Sequence, residues 1–67
     1  MNIKRTFAAN VRARRKELGL TMRDVAGMAK ISPSAVSQVE NEKTDMQISK
    51  AEHLANTLGT TLVKLLR

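Results

Sequence analysis

Residues 21–41 read TMRDVAGMAKISPSAVSQVEN, and their order decides the fold. Thr21 stands where a helix N-cap belongs, with Asp24 three residues on, an acidic form of the capping box that also suits the positive end of a helix dipole. Val25, Ala26 and Ala29 fall on one face of the helix so begun. It extends only to about Ala29, because Ser32 and Pro33 mark a fresh start. Ser32 supplies a capping oxygen, and Pro33 takes the first helical position, where its missing N–H costs nothing. The helix that follows serves two surfaces, with Val36 and Val39 on one side and Pro33, Ser34, Ser37 and Gln38 on another.

Working outward, Ile3, Phe7, Val11 and Leu18 recur at helical spacing, with Lys4, Arg5, Arg12, Arg14, Arg15 and Lys16 between them and Gly19 as a C-terminal stop. That predicts a first helix over about residues 3–18. After a polar stretch from Asn41 to Gln47, Ile48, Ala51, Leu54, Ala55 and Leu58 mark a fourth helix closed by Gly59. A last short turn follows Thr61, with Leu62, Leu65 and Leu66 as its apolar positions. No internal repeat and no period-two alternation long enough for a strand occurs. The chain is read as all-α, five short helices in a single domain over residues 1–67.

Sixty-seven residues without cysteine can bury only one small core, with no disulfide to staple it. A catalytic cleft usually needs more scaffold, so no enzyme activity is expected. The single Phe, with no Trp or Tyr, removes the stacking platforms that single-stranded nucleic acid needs. Twelve Lys and Arg against six Asp and Glu give a formal charge of +6, which calls for a polyanionic partner. Residues 1–30 carry all of that excess, since their eight basic side chains face only Glu17 and Asp24, while the rest of the chain balances four against four. No apolar run approaches the roughly 18 residues of a membrane span, and the basic start leads into an amphipathic stretch, not a signal-peptide core. A cytoplasmic protein without membrane contact is expected. His53 has no cysteine or second histidine to complete a metal site, so neither metal nor cofactor is expected, and His53 reads as an exposed helical residue. Ser34 and Ser37 have no general base near them and are not nucleophiles.

The second and third helices, separated by about three residues, have the layout of a helix-turn-helix. The run Arg12 to Thr21, then Asp24-Val25-Ala26, Ile31-Ser32 and Val36-Ser37-Gln38-Val39-Glu40-Asn41, resembles the phage repressor and Cro-like helix-turn-helix family, lambda repressor-like in fold. Leu54-Ala55, Leu58-Gly59, Thr61-Leu62 and Leu65-Leu66 extend the likeness to nearly the whole chain. The resemblance implies a third helix that enters the major groove of double-stranded DNA while the second crosses the backbone. Base contacts then fall to Ser32, Pro33, Ser34, Ser37 and Gln38. Gln38 can pair with adenine and the serines with most bases, so direct readout is modest and DNA shape carries more of the specificity. Phosphate contacts are expected from Arg14, Thr21, Arg23, Asn41, Lys43 and Thr44, with Arg14 foremost. About six neutralised phosphates would give a log–log salt slope on the order of −5 per protomer. The resemblance also implies an ion pair between Arg15 and Glu40.

Three features depart from the family pattern. Met22 replaces a Gln that often reaches phosphate, Lys30 replaces the usual turn Gly, and Met46 falls where Pro is frequent. Lys30 in a left-handed conformation and Gly27 inside a helix would each cost about 1 kcal/mol. A domain this small cannot hide Leu62, Val63, Leu65 and Leu66 together, so they are candidates for a homodimer interface. Two copies would present their third helices about 34 Å apart on a pseudo-palindromic operator. The leading reading is a sequence-specific repressor. A DNA-binding antitoxin with a toxin partner, and a protein-interaction module that kept the fold but not the DNA, are the alternatives.

Overall fold

Side-chain oxygens start four of the five helices in the computed structural model, which describes residues 2–43 and 46–67. The elements are α1 (Ile3–Glu17), α2 (Met22–Ala29), α3 (Pro33–Glu40), α4 (Ile48–Thr57) and α5 (Leu62–Leu65), with no strand among the described residues. Asn2, Thr21, Ser32 and Thr61 each accept from the backbone N–H three residues on. Each thereby satisfies a donor that the helix start leaves orphaned. Gln47 makes no such bond at the start of α4.

Four of the five helix ends, all but that of α5, share one device. At Gly19, Lys30, Glu42 and Gly59 the chain turns left-handed, with φ between 59° and 71°, and the next N–H reaches back to a carbonyl of the last turn. Leu20 bonds Arg15, Ile31 bonds Ala26, Lys43 bonds Gln38 and Thr60 bonds Ala55, at 2.8–3.0 Å. Glycine adopts this conformation without a Cβ penalty, whereas Lys30 and Glu42 do not. Meanwhile Gly27 sits inside α2 with nothing within 4 Å of where a Cβ would be. The chain thus has glycine where a helix wants alanine, and lysine where a turn wants glycine. Gly27→Ala and Lys30→Gly are each expected to stabilise by about 1 kcal/mol, roughly 4 °C or more in Tm by thermal melt. A Tm lowered by both substitutions would contradict this account.

Phe7 and Val11 of α1 meet Val25 of α2, Val36 and Val39 of α3, and Leu54 and Leu58 of α4 in one core. α2 packs on α3 and α4, and α1 lies against α3 and α5. Leu65 belongs to that core, only 4 % exposed, which removes it from the expected dimer surface. Leu62 and Leu66 are half-buried against the core, and Val63 alone of the four is exposed. Three side chains of α1 tie down distant elements. Asn10 donates to the Leu65 and Arg67 carbonyls at 2.8 and 2.9 Å, Arg14 donates to the Leu58 carbonyl, and Arg15 reaches Glu40.

Candidate nucleic-acid interface

α3 is eight residues long and points one polar face outward. Pro33, Ser34 and Gln38 are exposed and Ser37 is half-buried beside them, the i, i+1, i+4, i+5 set that a helix gathers on one side. Ser32 begins the face, but its oxygen already accepts from the Ala35 N–H at 3.1 Å, leaving its O–H to donate. At the other end the Asn41 amide nitrogen donates to the Ser37 carbonyl at 2.8 Å and lies 3.3 Å from its hydroxyl. That folds Asn41 back along α3 and leaves its side-chain oxygen, an acceptor, as the outward atom. A phosphate contact from Asn41 would need that side chain to turn.

The start of α2 is similarly occupied. Thr21 Oγ1 accepts from the Asp24 N–H at 3.0 Å, and the Asp24 carboxylate accepts from the Thr21 N–H at 2.9 Å. The Thr21 amide first, and its side chain second, hold the Asp24 carboxyl below its ordinary range. The sign follows directly: a carboxyl whose folded pKa is lowered adds stability above the unfolded value near 4, and loses it as pH falls through the folded one. Stability of the parent is therefore expected to fall more steeply below about pH 4 than that of Asp24→Asn, read by melts across pH. Parallel curves would show that the box contributes nothing. For an incoming phosphate, Asp24 is a like charge, and it already engages both the amide and the side chain of Thr21. Met22, beside them, is half-buried against the core.

The expected phosphate residues divide. Arg23 and Lys43 are exposed at the start of α2 and just beyond α3, while Thr44 lies outside the described residues. Arg14 has a different assignment from the expected one. Its Nε donates to the Leu58 carbonyl at 2.8 Å, its NH1 pairs with Glu17, and its side chain is only 28 % exposed. It caps the C-terminal end of α4, where a cation suits the helix dipole. Arg5, Arg12 and Lys16 instead form the outward stripe of α1, lining a shallow hollow of about 350 Å³ together with Glu40 and Glu42. This stripe adjoins the end of α3 that carries Asn41 and Lys43. Arg5 is drawn 3.9 Å from Glu42, and Arg12 and Lys16 form no ion pair among the described residues.

Arg15 and Glu40 come together as a forked pair. Arg15 Nε donates to Glu40 Oε2 at 2.7 Å, NH2 to Oε1 at 3.1 Å, and NH1 to the Leu20 carbonyl at 2.9 Å. The side chains are 11 % and 2 % exposed. Glu40 raises the Arg15 pKa further above its already high value. The pair joins α1 and the α1–α2 turn to the last residue of α3, fixing the helix that bears the outward face.

The Asn10 bonds to the Leu65 and Arg67 carbonyls, the Arg14 bond to Leu58 and the left-handed Glu42 were not anticipated from sequence, and His53, exposed as expected, makes a bond that was not. His53 Nε2 lies 2.9 Å from the Ala29 carbonyl. Among the described residues no three His, Cys, Asp or Glu gather where a metal could bind, and no helix is long and apolar enough to cross a membrane.

A helix-turn-helix family profile matches residues 11–65. The chain belongs to the helix-turn-helix family. It is 38 % identical over 56 residues to the HTH-type transcriptional regulator DdrOP3 of Deinococcus deserti, a match that spans 84 % of this chain but 43 % of that protein. The chain therefore covers less than half the length of that relative. Among solved structures it is similar to a hypothetical transcription factor, NHTF, from Neisseria, with TM-score 0.94, 26 % identity, and 98 % of this chain against 76 % of that one. The clp gene regulator ClgR from Corynebacterium glutamicum superposes with TM-score 0.89 over 98 % of this chain and 70 % of its own, at 21 % identity. That last likeness speaks to fold alone.

Proposed function

We propose that this helix-turn-helix chain is a sequence-specific, non-enzymatic regulator of transcription that binds duplex DNA through the major groove. The observation that carries this reading is α3 itself. Its outer face is polar and exposed, its inner face is core, and the buried Arg15–Glu40 pair fixes its far end. Pro33, Ser34, Ser37 and Gln38 are the side chains proposed to meet base edges, with Ser32 at the entrance. Arg23 and Lys43 grip phosphate, and the α1 stripe of Arg12 and Lys16 takes the part first given to Arg14. Repression follows from occlusion of a promoter by two copies in the cytoplasm. Val63, with the half-buried Leu62 and Leu66, is the proposed seam between those copies, and a pseudo-palindromic operator follows from the two-fold axis.

Selection of bound fragments from the source genome tests this. The expected outcome is an inverted repeat with half-sites about 34 Å apart, and competition by random duplex that is at least a thousandfold weaker. An interaction module without DNA binding has one observation in its favour, the inward Met22 together with a committed Arg14. Absence of any duplex binding at low salt would establish that alternative and overturn the proposal.

A further inference from the structure

His53 sits in the middle of α4, and its Nε2 lies 2.9 Å from the carbonyl of Ala29, the last residue of α2. A carbonyl only accepts, so Nε2 carries the proton and donates. The Ala29 carbonyl belongs to the helix end, where no intrahelical donor reaches it. The N–H of Ile31 passes it by and bonds Ala26, one turn back. Lys30, the next residue, holds the left-handed turn at φ 59°, and Ser32 then caps α3. The imidazole therefore grips the chain at the hinge that aims α3 relative to α2.

Nothing else polar shares that task from the α4 side. A hollow of about 510 Å³ lies along α4, bounded by Ala35 and Gln38 of α3 on one side and by Gln47, Lys50 and His53 on the other. Among the described residues no other hydrogen bond joins α4 to α2 or α3. The turn it steadies is also one of the two strained ones, since Lys30, like Glu42, gains by leaving the left-handed region.

We infer that His53 is a positioning residue for α3, holding the angle between the helix proposed to rest on phosphate and the helix proposed to read bases. The inference rests on the DNA-binding reading. Base-edge contacts demand one orientation of α3, whereas nonspecific binding needs only cations near a phosphate backbone. Loss of the His53 donor should therefore lower operator affinity and spare random duplex.

His53→Gln and His53→Met in the full chain provide the test, because the two side chains are similar in length and only Gln can donate to Ala29. Affinity for the selected operator and for random duplex is measured well below Tm, alongside hydrogen exchange of the Ile31 amide. His53→Met is expected to reduce the operator-to-random ratio about five- to tenfold, the loss of one hydrogen bond, and to speed exchange at Ile31. His53→Gln should restore both. An unchanged ratio, or equal weakening on both duplexes, overturns the inference. If the parent itself prefers no duplex, the DNA-binding reading fails separately. Exchange at Ile31 then decides: faster in Met and restored in Gln supports the positioning role, and no change overturns it.

Discussion

Arg15→Ala is expected to remove a large share of the domain's stability, about 3–5 kcal/mol. The substitution strands a carboxylate that is 2 % exposed, and breaking a buried pair by removing one partner costs about 3–5 kcal/mol. A chain of 67 residues holds about 3–10 kcal/mol in total, by the usual 0.05–0.15 per residue, so the loss is a large share of it. Glu40→Ala should be the milder change. It leaves a guanidinium that still donates to the Leu20 carbonyl and is 11 % exposed, near enough to the surface to recruit water. It would also loosen the end of α3 and weaken DNA binding indirectly. Arg15→Met combined with Glu40→Leu should recover most of the loss, because matched apolar groups remove both desolvation costs. Urea melts of the two alanine variants, their double and the parent form a cycle. Single losses under about 1 kcal/mol, or strict additivity, would show the pair to be an ordinary surface contact.

The second large effect is on salt. With Arg14 committed to α4, the cations proposed to meet phosphate are Arg12, Lys16, Arg23 and Lys43. Four neutralised phosphates give a log–log slope of about −3.6 per protomer, in place of about −5 for the six contacts first expected. Raising salt from about 50 to 200 mM should then weaken a single protomer about 150-fold, and a cooperative pair by about 2 × 10⁴. Arg12→Gln with Lys16→Gln should flatten the slope by about 1.8 per protomer and scarcely change Tm. Arg14→Gln should do the reverse, lowering Tm through the lost Leu58 cap while leaving the slope alone. A slope that responds to Arg14 and ignores Arg12 and Lys16 would return the grip to the first assignment.

Much of the fold was legible because helix limits are written in local chemistry. Thr21 with Asp24, Ser32 with Pro33, and the glycines at 19 and 59 are signals a few residues wide, and each helix began and ended within about a residue of them. The polar face of α3 follows from spacing alone. The bond from Arg14 to the Leu58 carbonyl is not legible in its charge, only in its position. Arg14 follows Phe7 and Val11 at helical spacing on the inward side of α1, so a cation there leans over the core edge toward a neighbour. Leu62, Val63, Leu65 and Leu66 look equivalent in sequence, although α5 has an inner side with Leu65 and an outer side with Val63. Glu42 turns left-handed two positions after α3 ends at Glu40, as Gly19 does after α1 and Gly59 after α4, but without a glycine to mark it. His53 gave no such signal. Its acceptor is a main-chain carbonyl from another helix, and every residue carries one.

The concentration of distant ties on α1 has a consequence for how the protein is made. The Arg14 bond spans 44 residues and the Asn10 bonds span 55 and 57. At about 5–20 residues per second, α1 waits several seconds on the ribosome before its partners in α4 and α5 are translated. Helical domains of such local topology fold in microseconds to milliseconds, so synthesis and not conformational search sets the delay. During that interval a basic amphipathic segment is on display with its core face uncovered.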